Sequence, residues 1–120
     1  MARAPTKRER DVISFILAVG IEFDEPITAS DRERWQQREA GIRVGERCRC
    51  GTCPSIVLED EDGPVPPSDT QRVLEVDCPG ALLYLFIYDG RPSYLELTPL
   101  NDEVFGEFPA VEELTATRYE

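Results

Sequence analysis

The segment from Ala81 to Tyr88 constrains the fold of this 120-residue chain more strongly than any other part of its sequence. Its residues, ALLYLFIY, are all apolar apart from two tyrosine hydroxyls, so both faces of a strand built from them are apolar. Asp89-Gly90 follows directly, and this dipeptide is a strong signal for a two-residue β-hairpin turn. The sequence therefore predicts a central strand followed by a second strand over about residues 91–98.

The turn also predicts how the two strands of this hairpin pair. Ile87 should face Pro92, and Leu85 should face Tyr94. Because proline has no N–H to donate, the strand over about residues 91–98 should be an edge of the sheet, at least where it starts.

A central strand with two apolar faces needs two covers. Tyr84, Phe86 and Tyr88 share one face, which we expect to be the core side beneath the first helix. The opposite face, with Leu85 and Ile87, should be covered by the second helix and the carboxy-terminal tail. A homodimer through that face or through the edge strand is the alternative.

Two capping boxes predict two helices before the sheet. In each, a hydroxyl side chain lies three residues before a glutamate, so that the pair can satisfy two free amides of the first helical turn. The pairs are Thr6 with Glu9 and Ser30 with Glu33. We expect a first helix over about residues 7–19, with a wide apolar stripe that packs on the core. A second helix is expected over about residues 31–40, on the surface and anchored by Trp35.

Further strands are expected between the helices and the hairpin. Residues 42–44 begin a strand, residues 55–59 return from it, and residues 72–77 form a third strand. The sequence thus predicts a single α+β domain over residues 1–120, with two amino-terminal helices and an antiparallel sheet of about five strands. A short carboxy-terminal helix or tail should follow near residues 110–116.

Four cysteines in a chain without histidine form the main candidate for chemistry. Cys48, Cys50 and Cys53 should lie near the tip of the first hairpin, and Cys78 should lie at the end of the third strand. Four thiolates complete a tetrahedral zinc site, so these residues are a candidate site for one structural zinc ion. Two alternatives stay open. One is reduced thiols that only pack. The other is disulfide or redox chemistry, through a cross-link of Cys50 or Cys53 with Cys78 in an oxidising environment or through a redox pair of Cys50 and Cys53.

Charge is distributed unevenly along the chain. The net charge is −11, and residues 51–120 hold three Lys/Arg against fifteen Asp/Glu. Such an excess of carboxylates repels phosphate backbones, so we expect no nucleic-acid partner and favour a basic protein. The longest apolar run is too short to span a membrane, so no membrane association is expected. Glu9 and Asp11 interrupt the basic amino terminus, which is unlike a secretory signal and favours a cytoplasmic location.

Two stretches resemble a set of small uncharacterised proteins of high-GC Gram-positive bacteria. They are CRCGTCPSIVL at residues 48–58 and LLYLFIYDGRPSYLE at residues 82–96. In those proteins, a Cys-x-Cys-Gly-Cys-Pro-Ser-like strand pair precedes an apolar strand, an Asp-Gly-Arg turn and a Leu-Glu strand. Here Thr52 separates Gly51 from Cys53. The resemblance implies a shared fold and brings no activity with it. The architecture is similar, more distantly, to small acidic α+β immunity proteins that neutralise bacterial toxins.

These observations favour a binding protein over an enzyme. The chain has no histidine and no glycine-rich phosphate loop, and its carboxylates have no evident catalytic partner. We expect an acidic intracellular protein of immunity or inhibitor type that engages a basic protein surface. The residues expected to contact this partner are Glu59, Asp60, Glu61, Asp62, Tyr94 and Glu96. A zinc-stabilised structural or adaptor module is the alternative.

Overall fold

The computed structural model describes residues 2–23 and 25–117, where two α-helices precede an antiparallel sheet of seven strands. The helices are α1 (Lys7–Val19) and α2 (Ala29–Gln37). The strands are β1 (Arg43–Arg47), β2 (Ile56–Asp60), β3 (Gly63–Pro64), β4 (Gln71–Cys78), β5 (Ala81–Tyr88), β6 (Arg91–Pro99) and β7 (Thr115–Ala116). The predicted α+β class is therefore confirmed. No helix in these described ranges is long and apolar enough to cross a membrane.

The sheet has more strands than the sequence predicts, and the carboxy-terminal segment forms a 3₁₀ turn and a short strand instead of an α-helix. β3 and β7 contain two residues each and pair with β2 and β4, respectively. Two residues are too few to show the alternation of apolar and polar side chains by which a strand is recognised in sequence. Near residues 110–116 the chain forms one 3₁₀ turn, Val111–Glu113, and then β7.

Both helices begin with a capping box, but the second begins earlier than predicted. α1 starts after Thr6, whose hydroxyl accepts from the Glu9 backbone N–H, and its predicted bounds are confirmed. α2 starts after Thr28, whose hydroxyl accepts from the Asp31 backbone N–H at 3.0 Å. The predicted box at Ser30 and Glu33 is therefore wrong, because an aspartate at the third helical position closes the box two residues earlier. The prediction that Trp35 anchors α2 is confirmed, since it is 2% exposed.

The sheet has the order β1-β2-β6-β5-β4-β7, with β3 beside β2. β5 pairs along its whole length with β4 and with β6, so its predicted central position is confirmed. β6 is an edge only at its start, where the sequence predicts one, because from Tyr94 it also pairs with β2, through Tyr94 and Leu95. Pro92 lies before that pairing begins, which is how a residue without an N–H is accommodated there.

A β-bulge in β6 changes the predicted register. Ile87 pairs with Pro92 as predicted, but Phe86, rather than Leu85, pairs with Tyr94. Ser93 is the additional residue, and its hydroxyl donates to the carbonyl oxygen of Phe86 at 3.1 Å. Because a bulge inserts one residue into one strand only, it reverses which face each later residue of that strand occupies.

The core lies on the face of β5 opposite to the predicted one. Leu83, Leu85 and Ile87 are at most 1% exposed and pack with the apolar stripe of α1, whereas Tyr84 and Phe86 are half-exposed on the other face. Aliphatic side chains can be buried completely, whereas a tyrosine hydroxyl needs water or a hydrogen-bond partner. The bulge also brings later leucines of β6 to the aliphatic face, so that face becomes the core.

Candidate functional site

The loop between β1 and β2 carries three of the four cysteines. The backbone N–H of Cys48 donates to the carbonyl oxygen of Ser55 at 2.7 Å, which extends the hairpin beyond the end of β1. Gly51 has a positive φ of 82°, a conformation that favours glycine and lets the chain reverse between Cys50 and Cys53. The predicted hairpin with cysteines near its tip is therefore confirmed.

The base of this loop is fixed to the sheet. Ser55 is 1% exposed, and its hydroxyl accepts from the backbone N–H of Leu97 in β6 at 2.9 Å. The backbone N–H of Phe105 donates to the carbonyl oxygen of Thr52 at 2.9 Å, which ties the loop tip to the segment after β6. The cysteines are thus held between two distant parts of the chain.

The three thiols of this loop converge on one point. The Sγ atoms of Cys48, Cys50 and Cys53 all lie within 4.8 Å of one another, and those of Cys50 and Cys53 are 3.3 Å apart. Cys50 is exposed, and the other two are half-buried. Three close cysteines in this arrangement can hold a metal ion. We call this set of three residues the thiol cluster.

The surroundings of the thiol cluster favour a negative charge at Cys50. The pKa of Cys50 is lowered to about 6, first because the Thr52 hydroxyl donates to its sulfur, and then through the Thr52 backbone N–H and the two neighbouring thiols. The Thr52 hydroxyl lies 3.2 Å from this sulfur. The pKa of Cys48 is raised. A hydrogen bond from the backbone of Cys50 lowers this pKa, but the interactions with the side chains of Cys50 and Cys53 raise it by more. The hydrogen bonds from Thr52 therefore favour the thiolate form of Cys50.

Cys78 lies apart from the thiol cluster. It ends β4 in the buried core, where its sulfur donates weakly to the carbonyl oxygen of Ala81 at 3.6 Å. Burial raises its pKa, and Glu113, Asp77 and Glu103 raise it further. Two strands separate β4 from β2, which amounts to roughly 14 Å across the sheet. The structure therefore brings together three of the four candidate zinc ligands, and the fourth belongs to the core.

The sequence offered no means of placing Cys78, because strand order is not encoded locally. It also missed Ser55 and Thr52, whose hydroxyls each lie 3.2 Å from a cluster sulfur. A serine or threonine two residues from a cysteine in a tight loop is a weak signal that could have suggested these contacts.

The residues expected to contact a partner lie in two parts of the structure. Glu59, Asp60, Glu61 and Asp62 lie at the end of β2 and in the turn after it, and Tyr94 and Glu96 lie on β6. Asp60 accepts two hydrogen bonds from Arg91, at 2.7 and 2.8 Å, and this pair lowers the pKa of its carboxyl. The carboxylate of Asp60 is therefore occupied by an ion pair within the chain. Glu61 and Asp62 are exposed in the turn before β3, whereas Glu59 is half-buried on β2.

Tyr94 and Glu96 lie on the side of the sheet that faces away from the helices. Their neighbours on β4 and β5 are also half-exposed, and Tyr94 contacts the ring of Phe86 edge to face, with centroids 6.1 Å apart. We call this side of β4, β5 and β6 the open face and define it by Val73, Glu75, Tyr84, Phe86, Tyr94 and Glu96. It adjoins the thiol cluster through Tyr94, which pairs with Val57 on β2, shortly after the cysteine loop. Partial burial and the nearby Cys48 sulfur both raise the pKa of Tyr94.

Comparison of the chain with protein-family models, with curated proteins and with solved structures gave no match. The resemblance to proteins of high-GC Gram-positive bacteria and to immunity proteins therefore stays a prediction, as does the expectation that the protein is not an enzyme.

Proposed function

We propose that this protein binds one thiophilic metal ion, zinc, through the thiolates of Cys48, Cys50 and Cys53. One observation carries the proposal: the three Sγ atoms lie within 4.8 Å of one another on a loop that is anchored at both its base and its tip. The protein would act as a small metal-binding adaptor rather than as an enzyme.

The distances between the sulfurs suit a tetrahedral zinc ion. Zinc–sulfur bonds of about 2.3 Å at tetrahedral angles put neighbouring sulfurs about 3.8 Å apart. A cluster with sulfurs within 4.8 Å, and one pair at 3.3 Å, needs shifts of less than about 1 Å to reach that geometry. A cation bound there would also lower the pKa of the two remaining thiols, because it stabilises their thiolates.

Three protein ligands leave the fourth position of a tetrahedral ion open to water or to a donor from another molecule. Closed structural zinc sites use four protein ligands, whereas an open position is typical of sites that exchange ligands. An exchangeable ion suits an adaptor or carrier better than a purely structural role. Soft thiolate ligands also restrict the choice of metal to ions such as Zn²⁺ and Cu⁺. We place the protein in the cytoplasm, where reducing conditions keep thiols free.

Metal titration of the reduced, full-length protein tests this proposal. We expect one Zn²⁺ or Cd²⁺ per chain, sulfur-to-metal charge-transfer absorbance with Cd²⁺, and protection of three thiols from alkylation. A phosphine reductant should be used, because thiol reductants compete for the metal. Cys50→Ser should reduce the affinity for Cd²⁺ by at least about a hundredfold, because it removes one of the three ligands.

Cys78→Ala is the matched control. It also removes one of the four cysteines, but Cys78 is buried in the core and away from the thiol cluster, so the stoichiometry and affinity should stay unchanged. Equal loss of metal binding in the two variants, or the absence of stoichiometric binding in the reduced wild-type protein, would refute the proposal.

A further inference from the structure

The open face contributes no ligand to the proposed metal site and is a second candidate functional surface. The core cluster that buries the apolar stripe of α1 and the side chain of Trp35 lies on the opposite side of the sheet. Val73, Tyr84, Phe86 and Tyr94 on the open face remain half-exposed, and three of them are aromatic. Adjacent half-exposed rings on a regular sheet form a flat apolar surface of the kind found at protein interfaces.

Carboxylates surround the rings of this surface. Desolvation raises the pKa of Tyr84, and the nearby Glu75, Glu96 and Asp77 raise it further. On the side of β4, β5 and β6 that carries Tyr84, the basic residue between positions 73 and 98 is Arg91, which pairs with Tyr88 at the end of the hairpin and whose guanidinium is bound by the carboxylate of Asp60. The surface is therefore aromatic and negatively charged at the same time.

The combination of aromatic rings and carboxylates indicates which chemical group the partner should present. An arginine side chain stacks its planar guanidinium on an aromatic ring and donates two hydrogen bonds to a carboxylate, whereas a lysine can satisfy mainly the charge. We propose that the open face docks a basic protein surface that presents arginine side chains between Tyr84 and the carboxylates of Glu75 and Glu96. This proposal is independent of the thiol cluster and does not require bound metal.

Charge also argues against the other occupants of such a face. In a symmetric dimer through the open face, Glu75 and Glu96 of one copy would meet the same carboxylates of the other copy in a partly dehydrated interface. Nucleic acids and anionic membranes are repelled for the same reason, and the whole chain carries a net charge of −11. The sign of the face therefore fits a basic protein better than a second copy of this chain.

Binding of a labelled nona-arginine peptide to the full chain at low salt tests the proposal. Backbone amide chemical shifts should change on β4, β5 and β6 around Glu75, Tyr84 and Glu96. They should change little at the exposed turn that carries Glu61 and Asp62. Nona-lysine should bind several-fold more weakly, because it lacks the planar group that stacks on the rings.

Two matched double variants distinguish binding of the peptide at the open face from nonspecific attraction to the net charge of the chain. Glu75→Gln/Glu96→Gln and Glu61→Gln/Asp62→Asn each change the net charge from −11 to −9. The first pair should weaken nona-arginine binding about tenfold, since it removes both predicted guanidinium partners. The second pair should change it less than twofold. Amide spectra of each variant should first show that the fold is intact.

Three outcomes would overturn the proposal. Equal weakening by both double variants would mean that the peptide responds to net charge alone. Shift changes confined to residues outside β4, β5 and β6 would place the binding surface elsewhere. Concentration-dependent shifts on the open face in the absence of peptide, together with a dimeric mass in sedimentation, would identify a second copy of the chain as the occupant. The mapping on the wild-type chain decides between these outcomes even where a variant fails to fold.

Discussion

Replacing Leu85 and Tyr84 by alanine, one at a time, tests which face of β5 is the core. The two residues are adjacent in the central strand, so their side chains lie on opposite faces of the sheet. Leu85 is 0% exposed, and its neighbours across the two flanking strands, Leu74 and Leu95, are also 0% exposed. Tyr84 is half-exposed, between Glu75 and Glu96.

The expected magnitudes differ because only one of the two substitutions leaves a cavity. Leu85 is held between two fully paired strands that cannot collapse into the vacated space, so Leu85→Ala should cost about 3 to 4 kcal/mol of unfolding free energy. For a chain of this length, 3 kcal/mol corresponds to a decrease in Tm of about 12 °C. Tyr84→Ala loses only cross-strand contacts on a half-exposed surface, so it should cost about 1 kcal/mol.

Urea unfolding followed by circular dichroism, with the wild type and both variants at the same pH, measures this difference. The m-values should agree among the three proteins, so that the change in midpoint reports stability alone. Tyr84→Ala should also weaken nona-arginine binding, because it removes a ring of the open face. If Tyr84→Ala proves as destabilising as Leu85→Ala, the assignment of core and open face would be wrong, and the docking proposal would lose its basis.

Four further outcomes are expected. Zn²⁺ at a hundred times its Kd should raise the unfolding free energy of the reduced wild type by about 2.7 kcal/mol; calorimetry should show this for Cys78→Ala and not for Cys50→Ser. Hydrogen bonding from Arg3 lowers the pKa of Glu9, so the contribution of that ion pair is present above about pH 4.3 and lost as the pH falls through the lower folded-state pKa. The stability difference between wild type and Glu9→Gln should therefore shrink in acid, and a difference that is constant from pH 7 to pH 3 would contradict this. Arg72→Met should cost about 2 kcal/mol in thermal unfolding, since Arg72 binds Glu22 at 2.5 Å and stacks over Trp35 at 5.5 Å; a cost below about 0.5 kcal/mol would show that this contact does not join the helical layer to β4. Raising the salt concentration to 0.5 M should weaken nona-arginine binding strongly, and an unchanged affinity would remove the electrostatic part of the docking proposal.

Much of the fold could be predicted because the signals are local. The Thr6–Glu9 capping box gives the first helix, and the apolar run with its Asp-Gly turn gives the central hairpin. Each signal depends on side chains within a few residues of the backbone they direct. The second helix was placed two residues too late, because Thr28 and Asp31 offer the same box and the sequence alone did not rank the two.

The candidate site could be predicted only in part. The spacing of Cys48, Cys50 and Cys53 predicted a compact set of three thiols near a hairpin tip, and the structure confirms their proximity. Cys78 is a candidate because four thiolates complete a tetrahedral zinc site, and it could reach the other three only if the third predicted strand lay beside the first hairpin. In the structure, however, β6 lies between β2 and β5, so the last cysteine is far from the others.

The sequence by itself determined the α+β class, the first helix, the central hairpin and the three convergent thiols. Only the tertiary structure decided which face of β5 is buried and which cysteine stands apart. A single bulge at Ser93, stabilised by a hydrogen bond to Phe86, reverses the faces of the rest of β6. Its effect depends on how β6 packs against two neighbouring strands and α1, and that packing free energy is shared among residues far apart in the chain. For this reason the aliphatic side became the core, and the tyrosines were left on an open face.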